Sequence, residues 1–66
     1  MRNQDLAAAM TGLAAALDGK PAQVHGGVSP PDDVIEAADR IVREFDLKGI
    51  RYWIQGDAVC FTPEDP

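Results

Sequence analysis

The stretch Ile50–Thr62, IRYWIQGDAVCFT, constrains this chain more than any other, because it pairs with itself in a single register. Ile50–Gln55 and Ala58–Thr62 both alternate, and Gly56-Asp57 joins them with glycine at the first central position of a two-residue type II′ turn. That turn sets Ile54 opposite Val59, Tyr52 opposite Phe61 and Arg51 opposite Thr62. One face is then apolar (Ile50, Tyr52, Ile54, Val59, Phe61), and the other pairs Trp53 with Cys60. A slip of one residue would scramble both faces, so the pattern itself specifies the register. A lone hairpin is marginal in water, so the rest of the chain has to cover it, and an uncovered hairpin leaves two edges to attract another strand.

Two helices are available for that cover. Residues 3–18 contain Leu6, Met10, Leu13 and Leu17 at helical spacing among six alanines, with Asn3 as N-cap and Asp5 in the first turn, where negative charge is favoured. Gly12 costs about 1 kcal/mol relative to alanine in a helix interior, a cost that close packing would explain. Gly19 is placed for a left-handed C-cap, and Pro21 blocks continuation. Residues 19–29 read as a connector, in which Gln23–His25 could form a short extended piece and His25 is a solvated loop histidine. A second helix spans residues 30–47, with Ser29 as its cap, Pro30 at the first position, and Asp32 and Asp33 at the positive end of its dipole. Its apolar side is Val34, Ile35, Ala38, Ile41, Val42 and Phe45. Glu36 and Asp39 stand four residues before Arg40 and Arg43, the favourable order for ion pairs. Leu47 belongs to the core, Gly49 ends the element, and residues 63–66 form a fraying acidic tail. The expected architecture is a single α+β domain, two helices packed on a two-stranded antiparallel hairpin in the order α-α-β-β.

With 66 residues the chain holds one domain and a marginal core. One cysteine forms no internal disulfide, and one histidine with one cysteine does not build a four-ligand zinc site. No apolar run reaches the roughly 20 residues of a membrane span and no signal segment opens the chain, so a cytoplasmic location is expected. No glycine-rich phosphate loop, nucleophile elbow or calcium loop occurs, and Cys60 has only His25 as a conceivable base. The expectation is a non-enzyme without cofactor or metal. The net charge of −5 lies entirely in residues 31–66, where nine acids face four bases. Such a balance opposes binding to DNA, RNA or an anionic membrane. The order helix, helix, hairpin also suits a winged-helix DNA reader, but the second helix carries more acid than base and Arg51 is the hairpin's one cation.

The remaining class is a protein-binding module. Asp32, Glu36 and Asp39 stand at i, i+4 and i+7, one row of negative charge able to occupy a basic groove built for phosphates, with Asp33 beside it. Trp53 and Arg51 are residue types enriched in interface hot spots and stand ready as an anchor, unless the first helix covers that face and makes Trp53 core. In its short chain, its acidic helix start PDDVIEAADR and its compact hairpin KGIRYWIQGDAVCFT, the sequence resembles the small acidic inhibitors of phages and mobile elements, particularly anti-CRISPR proteins. The resemblance implies a blocker of a CRISPR–Cas effector at its DNA- or PAM-binding surface, acting in the host cytoplasm as monomer or homodimer. A different class fits the first helix: a small structural or regulatory subunit that self-associates through Leu6, Met10, Leu13 and Leu17.

Overall fold

The computed structural model describes residues 3–25 and 30–64, and shows two helices on one face of a three-stranded antiparallel sheet. The elements run α1 (Asn3–Leu17), β1 (Ala22–His25), α2 (Pro31–Phe45), β2 (Ile50–Gln55) and β3 (Ala58–Pro63), and the strand order is β1-β3-β2. β1 and β2 therefore run parallel, linked through α2, with β3 inserted between them: a split βαβ unit preceded by a helix.

The hairpin register matches the expectation pair for pair: Ile54↔Val59, Trp53↔Cys60, Tyr52↔Phe61 and Arg51↔Thr62. Gly56 has φ 65, and Asp46 is the one described non-glycine residue with positive φ, which is the signature of a II′ turn at Gly56-Asp57. The expected two-stranded sheet is corrected by β1. Within the connector, Ala22 pairs with Phe61, Gln23 with Cys60 and Val24 with Val59. This satisfies the second edge of β3, whose backbone groups would otherwise need water. The tail also begins later than expected, since Pro63 pairs with Ile50 and the Glu64 amide donates to the Gly49 carbonyl at 2.8 Å.

α1 begins and ends nearly as expected. Asn3 is already within the helix, and the C-terminus closes in a Schellman arrangement: Gly19 has φ 80, its amide donates to the Ala16 carbonyl at 3.0 Å, and the Lys20 amide donates to Ala15 at 2.9 Å. Its rotation about its own axis is another matter. The buried side is Asp5, Ala9, Gly12, Leu13 and Ala16, whereas Met10 and Leu17, which the spacing joins to Leu6 and Leu13 in one stripe, are 59% and 56% exposed. The reason is the Phe61 ring. A Cβ on Gly12 would lie 2.1 Å from Phe61 Cδ1, so the ring lies where a side chain at position 12 would begin, and the small residues Ala9 and Ala16 flank that approach. The close packing anticipated for Gly12 is thus found. With the helix so seated, Leu13 stays in the core while Met10 and Leu17 turn outward.

α2 shifts at both ends. Its cap residue is Pro30, with φ −67, ψ 153 and no side-chain cap bond, and Pro31 takes the first helical position; Ser29 lies outside the described residues. The helix stops at Phe45 because Asp46, three residues ahead of Gly49, already adopts the left-handed conformation (φ 52), with its amide donating to the Val42 carbonyl. Stopping there leaves Phe45 68% exposed instead of buried. Val34, Ala37, Ala38 and Ile41 enter the core with Leu13, Val59 and Phe61, and Ile35, Val42, Leu47, Ile50 and Tyr52 pack at its margin. Ile54, the outer end of the expected apolar face, is exposed.

Candidate functional site

The residues expected to bind a partner divide between two surfaces. Asp32, Asp33, Glu36 and Asp39 belong to α2, in the helical layer, whereas Arg51 and Trp53 alternate with the inward-facing Ile50 and Tyr52 and so face away from that layer. No single flat partner surface reaches both groups.

On α2, Asp32 and Glu36 are exposed one turn apart, and Asp33 and Asp39 are half-buried. The expected pairs Glu36–Arg40 and Asp39–Arg43 do not form. Lys20 and Asp18 form an ion pair at 3.6 Å and His25 Nδ1 stands 3.9 Å from Asp57 Oδ1, both between exposed side chains, where such contacts contribute little. Asp39 has another role: the Tyr52 hydroxyl donates a hydrogen bond to its Oδ1, tying α2 to β2. Burial, then the bond to Asp39 and its negative charge, push the Tyr52 phenol up to about 12, with Arg43 acting weakly the other way. Further along α2, Arg40, Arg43 and Glu44 border a depression of about 520 Å³. The acidic row is therefore strongest at the N-terminal half of the helix and mixed in sign beyond Asp39.

Tyr52 is the only tyrosine of the chain, so the tyrosinate absorbance reports on it alone. A raised phenol pKa means that the unfolded chain loses its proton first, near 10, while the folded chain holds it. Stability is unaffected below about pH 10 and falls between pH 10 and about 12. Spectrophotometric titration of the folded protein is expected to place the midpoint near 12, and Asp39→Asn is expected to lower it without reaching 10, because burial is the larger cause. A native midpoint at 10 would show that the Tyr52–Asp39 bond does not hold in solution.

The opposite surface is the open face of the sheet. The central strand contributes the smaller residues Cys60 and Thr62 there, and the flanking strands contribute larger ones. The result is a concavity of about 410 Å³ bordered by Pro21, Gln23, Trp53, Gln55, Cys60 and Thr62. Trp53 is 43% exposed, so the two open readings resolve against the core: neither helix covers it. Arg51 is exposed two residues away on the same side, without a cation–π contact to Trp53 among the described residues. Cys60 Sγ donates to Gln55 Oε1 at 3.4 Å, and a carboxamide is no base. His25, expected in a loop, sits at the end of β1 with its Nδ1 toward Asp57. Among the described residues no group of three or more His, Cys, Asp and Glu side chains converges as a metal site, and no helix is long and apolar enough to cross a membrane.

Two features go beyond the expectation: the short extended piece at Gln23–His25 is a strand, Ala22–His25, that pairs with β3 and forms one wall of this concavity, and a hydrogen bond draws Asp39 out of the acidic row. The first had a signal, since Ala22 and Val24 alternate with Gln23 and His25 after a proline. The second had none, because it joins residues 13 apart in sequence on different elements. Comparison with protein-family models, with curated proteins and with solved structures finds no match to this chain.

Proposed function

We propose that this chain is a non-enzymatic protein-binding inhibitor that presents the N-terminal half of α2 to a basic, nucleic-acid-handling partner. The observation that carries the reading is the exposure of Asp32 and Glu36 one turn apart, flanked by the half-exposed Asp33 and Asp39, with none of the four in an ion pair among the described residues. A negative row on a rigid helix approaches a phosphate-binding groove with long-range attraction and little conformational cost. The resemblance to anti-CRISPR proteins makes a CRISPR–Cas effector, blocked at its DNA- or PAM-binding surface, the specific partner to try first. Arg51 and Trp53 lie on the other layer and would contact that partner only where it wraps around the domain.

The test separates charge from folding. Asp39 supports Tyr52 and is left in place, while Asp32→Asn, Asp33→Asn and Glu36→Gln are combined. The triple variant is expected to keep its circular-dichroism spectrum and to lose about tenfold or more in affinity for the effector at low salt, with a shallower salt dependence. Unchanged affinity, or native binding that survives high salt, would overturn the reading.

A further inference from the structure

We infer that the free edge of β2 pairs with the same edge of a second copy of this chain, antiparallel about a two-fold axis through Tyr52, joining the two sheets into one. This goes beyond the inhibitor reading and rests on a different surface. In the order β1-β3-β2, β3 is paired on both sides, and the outer edge of β2 has no partner among the described residues. The two-residue turn makes Gln55↔Ala58 a hydrogen-bonded pair, so Trp53↔Cys60 and Arg51↔Thr62 are hydrogen-bonded pairs as well. The backbone N–H and C=O groups of Ile50, Tyr52 and Ile54 therefore point away from β3. The devices that usually blunt such an edge, a proline, a lysine or a bulge, are all absent from Ile50–Gln55. The edge is thus built to accept an extended strand. The opposite edge, on β1, is shorter, at 4 residues.

Two observations choose a second copy as that strand. The first is that β2 complements itself. An added strand must direct its own free backbone groups to the seam and set like faces together. A second β2 centred on Tyr52 does both, with Tyr52 against its counterpart and Ile54 against Ile50 of the second copy in hydrogen-bonded pairs. The same register sets Trp53 opposite Arg51 of the second copy, twice across the axis, in the sites where cross-strand side chains come closest. Within one chain these two exposed residues make no cation–π contact among the described residues; across the seam each guanidinium meets an indole face. On the inward face Ile54, 40% exposed in the single chain, gains the Ile50 side chain of the second copy as a neighbour. The second observation is charge. Residues 48–57 hold Lys48 and Arg51 against Asp57, so the acidity of the chain does not reach this edge. The register also brings Lys48 to the Gly56-Asp57 turn of the second copy, base against acid. From the helical layer α2 brings Asp39 and Arg43 toward Tyr52, one of each sign. The seam is short, about 20 Å of strand, and a dissociation constant on the order of 10–100 μM is expected.

Sedimentation equilibrium of the full chain under reducing conditions, up to about 1 mM, tests this together with the emission of Trp53, the chain's one tryptophan. The expected result is a monomer–dimer equilibrium, with the emission moving to shorter wavelength as the dimer forms. Ile54→Lys changes one exposed position and sets two lysines into the seam, and is expected to weaken dimerisation at least tenfold with an unchanged circular-dichroism spectrum. Trp53→Ala and Arg51→Ala are each expected to weaken it about five- to tenfold, and the double variant no further than Trp53→Ala alone, because each contact needs both residues. Met10→Lys, exposed on α1, and the triple variant of the acidic row are both expected to dimerise like the parent chain, so this inference and the inhibitor reading fail separately. A monomer throughout the concentration range, a dimer that survives Ile54→Lys or is lost with Met10→Lys, or Trp53 and Arg51 losses that multiply in the double variant, would overturn the inference.

Discussion

Phe61→Ala is expected to leave no cooperative folded state at 25 °C. Phe61 is 1% exposed, lies on the central strand and is among the largest fully buried side chains. Its ring faces Gly12 of α1 on one side and the tilted ring of Tyr52 on another, with centroids 5.8 Å apart. Removing it deletes the group that both layers close upon, and the gap cannot collapse because the sheet register holds the backbone apart. Phenylalanine-to-alanine changes in cores cost about 3–5 kcal/mol, and a domain of this size has about 3–5 kcal/mol in total. Urea titration followed by far-ultraviolet circular dichroism should find no folded baseline. A sigmoidal transition displaced by less than about 1 kcal/mol would mean that the ring is not the centre of the core.

Gly12→Ala is expected to destabilise the domain by about 1–3 kcal/mol, the range for overpacking a tight contact. The sign is what makes the experiment informative. In an exposed helix interior the same change stabilises by about 1 kcal/mol, since alanine is the better helix former. Here the new Cβ would lie 2.1, 2.3 and 2.7 Å from Phe61 Cδ1, Cε1 and Cγ. Cγ is the near end of the ring, attached through one carbon to a central strand, so the clash is not relieved by swinging a flexible tip. The double variant Gly12→Ala/Phe61→Leu is expected to lose less than the sum of the two single changes, because the smaller side chain makes room. Stabilisation by Gly12→Ala alone, measured by urea denaturation, would show that α1 does not sit on Phe61.

These two residues also show where sequence reading stops. The cost of Gly12 in a helix was visible, and so was the inward direction of Phe61 in the hairpin, but nothing local says that the two meet. Once they do, Met10 and Leu17 are turned outward while Ala9 and Ala16 are buried, against the ordinary preference of large apolar residues for the interior. The acidic row was legible as a spacing, yet one of its members, Asp39, is engaged by Tyr52 from another element. Trp53 stood equally well in core or surface, because alternation assigns a residue to one of two faces and says nothing about which face is covered.

The sequence by itself determined that the chain forms two helices and how its hairpin pairs. Alternation of period two, a glycine with positive φ at the turn, prolines at helix starts and a left-handed glycine after α1 act over a few residues, and no distant contact changes them. It also determined the −5 charge and its confinement to residues 31–66. The tertiary structure alone decided that β1 completes the sheet, how α1 is rotated, and that the acids and the Trp53–Arg51 pair occupy opposite layers. Each of these depends on contacts between residues far apart in the chain: free backbone edges seek a strand, and a ring of fixed size accepts only a helix position without a side chain.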